Sequence, residues 1–249
     1  MPSAHPDPVI RDLEIMAPAE RYGRWIYSQF DGHLGQRVIE CGAGIGNFTR
    51  FLLDRQQVVA IDIHDPCIEY LKARFAGAQN LTSLVMDVGA PALLELAASK
   101  PDTIVCINVL EHLEDDRAVV SRMFQILTEG GKLLLLVPAG QRLYGSMDRR
   151  LGHYRRYGRR ELREKVATAG FTILKLFYMN AIASFGWFLN NRVFRLTDES
   201  PAQVMVFDRW VVPWLRPLER LVKPPFGLSL IAVAQKPIVD QPSSRRGRR

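Results

Sequence analysis

Val38–Thr49 reads VIECGAGIGNFT, and this stretch decides the fold. Arg37–Cys41 is a short apolar run, read as a buried strand. It runs into three glycines at alternate positions, Gly42, Gly44 and Gly46. Glycine there permits a sharp turn and lets a ligand approach bare backbone. A dinucleotide loop would read GxGxxG, with pyrophosphate on a helix N-terminus. Here the pattern is GxGxG, and Glu40 stands before the first glycine. A carboxylate at that point repels pyrophosphate and suits an ammonium or sulfonium charge. A tight turn in any α/β protein needs the same glycines, so the loop requires support from the rest of the chain.

The flanking sequence supplies it. A helix is expected near Asn47–Arg55, then strands at Val58–Ile63, Leu81–Val88, Thr103–Val109, Lys132–Pro138, Phe171–Tyr178 and Gly227–Gln235. Helical patterns separate them at about 66–75, at about 115–128 and at Arg159–Ala169. Upstream, residues 1–12 read as a loose leader. Residues 18–32 read as a helix carrying Tyr22, Trp25, Ile26 and Phe30 on one face. Alternating strands and helices predict a parallel sheet covered by helices. Ligands of such sheets bind beyond the carboxyl ends of the strands. Those ends are polar here. Asp62 ends the second strand about 20 residues past the loop, placed to accept from ribose hydroxyls. Asp65, before Pro66, is the better helix cap. Asp87 ends the third strand and can accept from an exocyclic amine. Asn108-Val109-Leu110-Glu111-His112-Leu113 ends the fourth.

Taken together, VIECGAGIGNFT, VVAIDI, LVMDV, INVLEHLEDD and GGKLLLLVPA resemble the class I S-adenosylmethionine-dependent methyltransferases, over roughly residues 20–180. The resemblance implies a Rossmann-like seven-stranded sheet with helices on both faces and an antiparallel last strand, which suits Gly227–Gln235. It implies S-adenosylmethionine as cofactor. Glu40, Gly42, Gly44 and Gly46 would cradle its methionine part, with Tyr22 in the same binding set. Asp62 would take the ribose and Ile63 would face the adenine. Asp87 and Val88 would meet the adenine edge. Asn108 would lie near the sulfonium, with Leu110 beside the adenine.

Absences narrow the acceptor. No Asp/Asn-Pro-Pro-aromatic run follows the fourth strand, as amino-methylating DNA enzymes of this family carry. Cys106 lies inside that strand rather than on a loop, which disfavours cytosine C5 chemistry. The metal-dependent catechol type needs clustered Asp and Asn ligands, and no such set is apparent, so no metal is expected. The segment 143–157, LYGSMDRRLGHYRRY, follows the fifth strand and should hang over the pocket mouth. His153 is the best candidate base, because imidazole titrates near neutrality. Arg155 and Arg156 are expected to grip a carboxylate or phosphate. His112, Tyr144 and Tyr154 join them as acceptor-contacting residues. The bland alternative has solvated arginines and a turn-capping His153. The GHYRRY run also resembles a bacterial methyltransferase subgroup of ill-defined substrate.

About 45 residues, 181–226, separate the last two strands, where this family usually has a short hairpin. They mix Phe185, Trp187, Phe188, Val193, Phe194, Leu196, Trp210, Trp214, Leu218 and Leu221 with Arg192, Arg195, Arg209, Arg216 and Arg220. A helical lid over an apolar acceptor pocket is the preferred reading. Peripheral contact with a membrane surface comes next, and a packing or dimer face last.

Composition agrees with one large domain. The chain has 249 residues, 47% of them hydrophobic, and a net charge of +7. Without Arg245, Arg246, Arg248 and Arg249 that charge is +3. Residues 1–236 are expected to form a single methyltransferase domain, and 237–249 a disordered basic tail. No apolar run is long enough to span a bilayer. Met1–Asp12 lacks the pattern of a secretory signal. Three cysteines without CxxC spacing suit a reducing compartment, so a cytoplasmic location is expected, with the membrane surface as its margin. The sequence therefore points to methyl transfer onto a small-molecule or lipid-linked acceptor, at oxygen. An RNA methyltransferase and a non-catalytic cofactor-binding protein are the alternatives. No RNA-binding module is recognisable, so a nucleic acid partner is not expected. Oligomeric state is open.

Overall fold

A computed structural model describes residues 7–189 and 200–238. Arg192, Val193, Phe194, Arg195 and Leu196 of the insertion lie outside the described residues, as does the arginine tail. Seven strands form one sheet: β1 (Arg37–Cys41), β2 (Gln57–Asp62), β3 (Leu81–Val85), β4 (Thr103–Ile107), β5 (Lys132–Pro138), β6 (Thr172–Met179) and β7 (Ser229–Gln235). Their order is β3-β2-β1-β4-β5-β7-β6. The first five strands are parallel, and β7 runs antiparallel to both β5 and β6. This is the seven-stranded arrangement expected.

Period-2 alternation divides the core into two layers. In β5, Leu133, Leu135 and Val137 face one layer, with Val119, Val120 and Met123 of α4 (Asp116–Ile126) and Leu162 and Val166 of α6 (Arg159–Thr168). Leu134 and Leu136 face the other. There they meet Trp25 and Ile26 of α2 (Glu20–Gln29), Phe30, and Val212 and Leu215 of α9 (Val212–Leu221). A strand buried on both faces is apolar throughout, which explains the unbroken Leu-Leu-Leu-Leu-Val run.

Two local expectations are corrected. The expected loose leader contains α1 (Pro8–Met16). Asp7 caps it by accepting from the N–H groups of Val9 and Ile10, and Pro8 opens it. Ile10 packs against Ile45 and Cys67, the latter on α3 (Asp65–Arg74). The helix expected at Asn47–Arg55 is one 3₁₀ turn, Thr49–Phe51. Phe48 and Phe51, three residues apart, both stack on Tyr27, and a 3₁₀ turn brings such residues into line.

The insertion contributes α7 (Ala181–Phe188), α8 (Pro201–Val206), a π turn at Phe207–Val211 and α9. Buried Glu219 of α9 ties it to the sheet by accepting from the N–H groups of Asn180 and Ala181. Asp208 accepts from the Tyr22 N–H, joining it to α2. The insertion therefore completes one layer of the core. No helix among the described residues is long and apolar enough to cross a membrane.

Candidate active site

The strand order reverses its progression between the parallel neighbours β1 and β4, and their carboxyl ends open the crevice where such sheets bind ligands. Gly42 follows β1 with φ +73°. A Cβ there would lie 2.2 Å from Val109 Cγ2, so the loop packs bare against the turn after β4. Gly44, at φ +52°, carries the Leu13 side chain of α1 over it. Asp62 fixes this loop: Oδ2 accepts from Gly44 N (2.8 Å) and Oδ1 from His64 N (2.9 Å). Helix α1 is fastened at its N-terminus and at its middle. Asp7 pairs with His64 (2.8 Å), and Asp12 pairs with Arg150 (2.7 Å) of α5 (Ser146–Arg150).

Glu40 is buried behind the loop, and its Oε2 accepts from the Thr49 hydroxyl (2.6 Å). Burial raises its pKa to about 8, with the Thr49 bond opposing and the charge of Asp62 adding to the rise. Ile63 is 68% exposed, an uncovered apolar side chain beside the crevice. Asp87 is exposed and accepts from Gly89 N (2.7 Å). Asn108 adopts φ +51°, a left-handed conformation asparagine tolerates better than most residues, and its N–H donates to Leu136 O. Leu110 and Val88, expected beside the adenine, are buried in the main core at the ends of their strands. The Tyr22 ring packs edge-on to Trp25 and Phe207.

A second cluster adjoins the first. His153 Nδ1 donates to Asp148 Oδ1 (2.9 Å), which fixes the tautomer because a carboxylate only accepts. Asp148 is fully buried and also accepts from Arg156 Nε (2.8 Å) and Gly145 N (2.9 Å). Burial opposes its ionisation, but His153, Arg156 and Gly145 together hold its pKa below the usual range. The His112 ring meets the His153 ring edge-on, centroids 4.6 Å apart. Burial and the neighbouring His153 lower the His112 pKa to about 4. Glu111 is completely buried, and burial raises its carboxyl pKa to about 8.

Arg155 and Arg156, expected to grip the acceptor, are drawn into contacts within the chain. Arg156 is 2% exposed, is bound to Asp148 and lies over the Trp187 ring of α7. Arg155 pairs with Asp116 (3.0 Å) and donates to Glu114 O (2.7 Å). Asp116 also holds Lys165 and the Tyr157 hydroxyl. Both guanidiniums are engaged by internal acceptors. The Tyr144 hydroxyl donates to His153 O (2.7 Å), a positioning contact. Tyr154 is exposed, and its N–H donates to Glu111 O (2.7 Å), linking the segment after β5 to the turn after β4. Sequence reasoning missed Asp148 and Glu111, although both lie inside the two segments it singled out. It named no metal ligands, yet Glu111, His112 and His153 converge. All three cysteines are buried and free, and burial keeps the Cys106 thiol protonated.

Comparison with known proteins gives this geometry a family. A methyltransferase domain family matches residues 14–176. A Mycolicibacterium smegmatis protein named "Probable S-adenosylmethionine-dependent methyltransferase" is 29% identical over 142 residues, covering 56% of this chain and 53% of its own length. A ubiquinone biosynthesis O-methyltransferase of Idiomarina loihiensis is 29% identical over 134 residues, covering 51% and 52%. The chain thus spans about half the length of these relatives. Among solved structures, the N-methyltransferase NodS of Bradyrhizobium japonicum, in complex with S-adenosyl-L-homocysteine, shares the fold. Its TM-score is 0.58 at 18% identity, with 94% of each chain covered.

Proposed function

The chain belongs to the class I S-adenosylmethionine-dependent methyltransferases, and from that premise we propose that it methylates a hydroxyl oxygen of a small-molecule or lipid-linked acceptor. The site's donor set fits the cofactor: a buried carboxylate for its cationic part, Asp62 at the second strand end, and exposed Ile63 for an apolar ring. Bound S-adenosylmethionine supplies an electrophilic methyl group on a sulfonium. The chain's own task is to orient the acceptor and take up its proton.

The observation that carries the oxygen reading is the Asp148–His153 pair. Asp148 holds Nδ1 protonated, so Nε2 is the ring nitrogen left to accept a proton. The acceptor oxygen gains the methyl group as the carbon–sulfur bond breaks, and the hydroxyl proton passes to His153 Nε2. Arg156 holds Asp148 in place, with Trp187 of the insertion against its guanidinium. Relatives named for O-methylation in ubiquinone biosynthesis favour the same atom.

The lid reading of 181–226 rests on α7, which meets Arg156 through Trp187, and on α8, which lies against α1. A lipid-linked acceptor is favoured by Trp210, Trp214, Leu218 and Leu221. They recur at helical spacing and stay exposed, Trp214 at 79% and Leu221 at 84%. Arg209, Arg216 and Arg220 are interleaved with them, a composition suited to an anionic lipid surface. The test is transfer of tritiated methyl groups into host extract, followed by phase partition. Label in the organic phase supports this reading. Label in a nuclease-sensitive precipitate replaces it with an RNA acceptor.

A further inference from the structure

Glu111 and His112 lie on the single turn Leu110–His112 after β4, and His153 lies beyond α5. One ligating atom from each falls within 4.8 Å of the others. Glu111 is 0% exposed, and neither of its carboxylate oxygens has a hydrogen-bond partner from another residue. A buried carboxylate left without a partner is costly, and native structures seldom retain one without a reason. Arg156, the nearest cation, is already committed to Asp148. Tertiary folding has thus set an unpartnered buried carboxyl beside two imidazoles.

From this arrangement we propose that Glu111, His112 and His153 bind one divalent cation of the zinc class, open to an oxygen ligand from the acceptor. Two imidazoles and one carboxylate form the donor set of catalytic zinc sites, which leave a position free. The supporting shell is also present. A ligating histidine normally gives its other ring N–H to a carboxylate or a backbone carbonyl. Asp148 accepts from His153 Nδ1, and the Leu151 carbonyl stands beside His112. Asp148, saturated by His153, Arg156 and Gly145, is a supporting residue and not a ligand. Tetrahedral zinc needs donors about 3.3 Å apart, so side-chain rotation of an ångström or so closes the set.

The role of the cation rests on the oxygen-methylation reading; its binding does not. A hydroxyl held by the cation loses its proton to solvent, and its oxygen then forms the bond to the methyl carbon as the carbon–sulfur bond breaks. With the cation bound, His153 is a ligand and solvent replaces it as proton acceptor; without the cation His153 keeps that task.

The experiment uses untagged full-length chain, stripped with chelator and dialysed. Zn²⁺ is titrated by calorimetry, and Co²⁺ by its visible ligand-field absorption. About one equivalent should bind, with a tetrahedral or five-coordinate Co²⁺ spectrum. Glu111→Gln and His112→Asn should each weaken binding by at least about tenfold, while Asp7→Asn, which alters the separate Asp7–His64 pair, should leave it unchanged. Thermal melts confirm that each variant folds. Absence of binding to the wild-type chain overturns the proposal, as does equal binding in the Glu111 and His112 variants. S-adenosylhomocysteine binding is measured in parallel without metal. Cofactor binding without zinc binding refutes only the cation site. Zinc binding without cofactor binding upholds the cation site and refutes the methyl-transfer reading.

Discussion

Glu40 offers the sharpest quantitative test. Its carboxyl is held at about 8 by burial, against an ordinary value of 4.5. At pH 7 about one folded chain in ten carries the carboxylate, and ionising the rest costs about 1 kcal/mol. A ligand bearing an ammonium group binds the ionised form, so binding at pH 7 should release close to one proton (about 0.9). The ionised fraction rises about fiftyfold between pH 6 and pH 8, and affinity should rise with it. The sign for stability is opposite. Above about pH 4.5 the unfolded chain has lost this proton while the folded chain keeps it. The contribution of Glu40 to stability is therefore fully present below that pH and is lost as pH rises towards 8. Isothermal titration of S-adenosylhomocysteine in buffers of different ionisation enthalpy counts the protons directly. Glu40→Gln should abolish the proton release and weaken binding about 10- to 100-fold, the worth of a charge-assisted hydrogen bond. A flat affinity profile from pH 6 to 8 with no proton release would refute the argument. So would a Gln variant that binds as tightly as the wild type.

Asp148→Asn removes the acceptor that orients His153 and the partner of buried Arg156. Turnover should fall roughly 10²–10⁴-fold, with cofactor affinity kept; unchanged turnover would return His153 to a packing role. Asp62→Ala leaves the Gly44 and His64 N–H groups without their acceptor. Cofactor affinity should drop at least about tenfold and stability by about 1–3 kcal/mol, read by calorimetry and chemical denaturation. Retained affinity would remove Asp62 from the ribose. Gly227→Ala sets a Cβ 2.3 Å from Met179 O, a backbone atom that cannot step aside. Overpacking there should cost about 1–3 kcal/mol, and a melt at the wild-type temperature would show that the entry into β7 is looser than it stands. Trp214→Ser with Leu221→Ser should abolish sedimentation with anionic vesicles while leaving turnover on a soluble acceptor intact; unchanged sedimentation would end the membrane reading.

The polar residues at the strand ends were legible because sheet periodicity is local. Val58–Asp62 and Leu133–Val137 announce themselves through side chains a few residues apart, and the residue after each strand is then fixed by counting. Asp62 and Asn108 were picked out in this way and Glu40 by the glycine loop, while their cofactor roles came from the family resemblance. Helix α1 was missed because nine residues gain little helical stability from their own propensity. Its cue was the Asp7-Pro8 cap, and its cause is Ile10 and Leu13 packing on the glycine loop. Arg155 and Arg156 read as free cations because a sequence shows charge and not the partner.

The sequence by itself determined the alternation of strand and helix, the glycine loop and the acids at the strand ends. Each is set by contacts within one short segment. Only the tertiary structure decided that Glu111 and His112 meet His153, that Asp148 lies beneath that histidine, and that Arg156 faces inward. These groups come from separate turns whose spacing depends on how β4, β5 and the insertion stack. Burial then decides which charges are paired, because water no longer satisfies them.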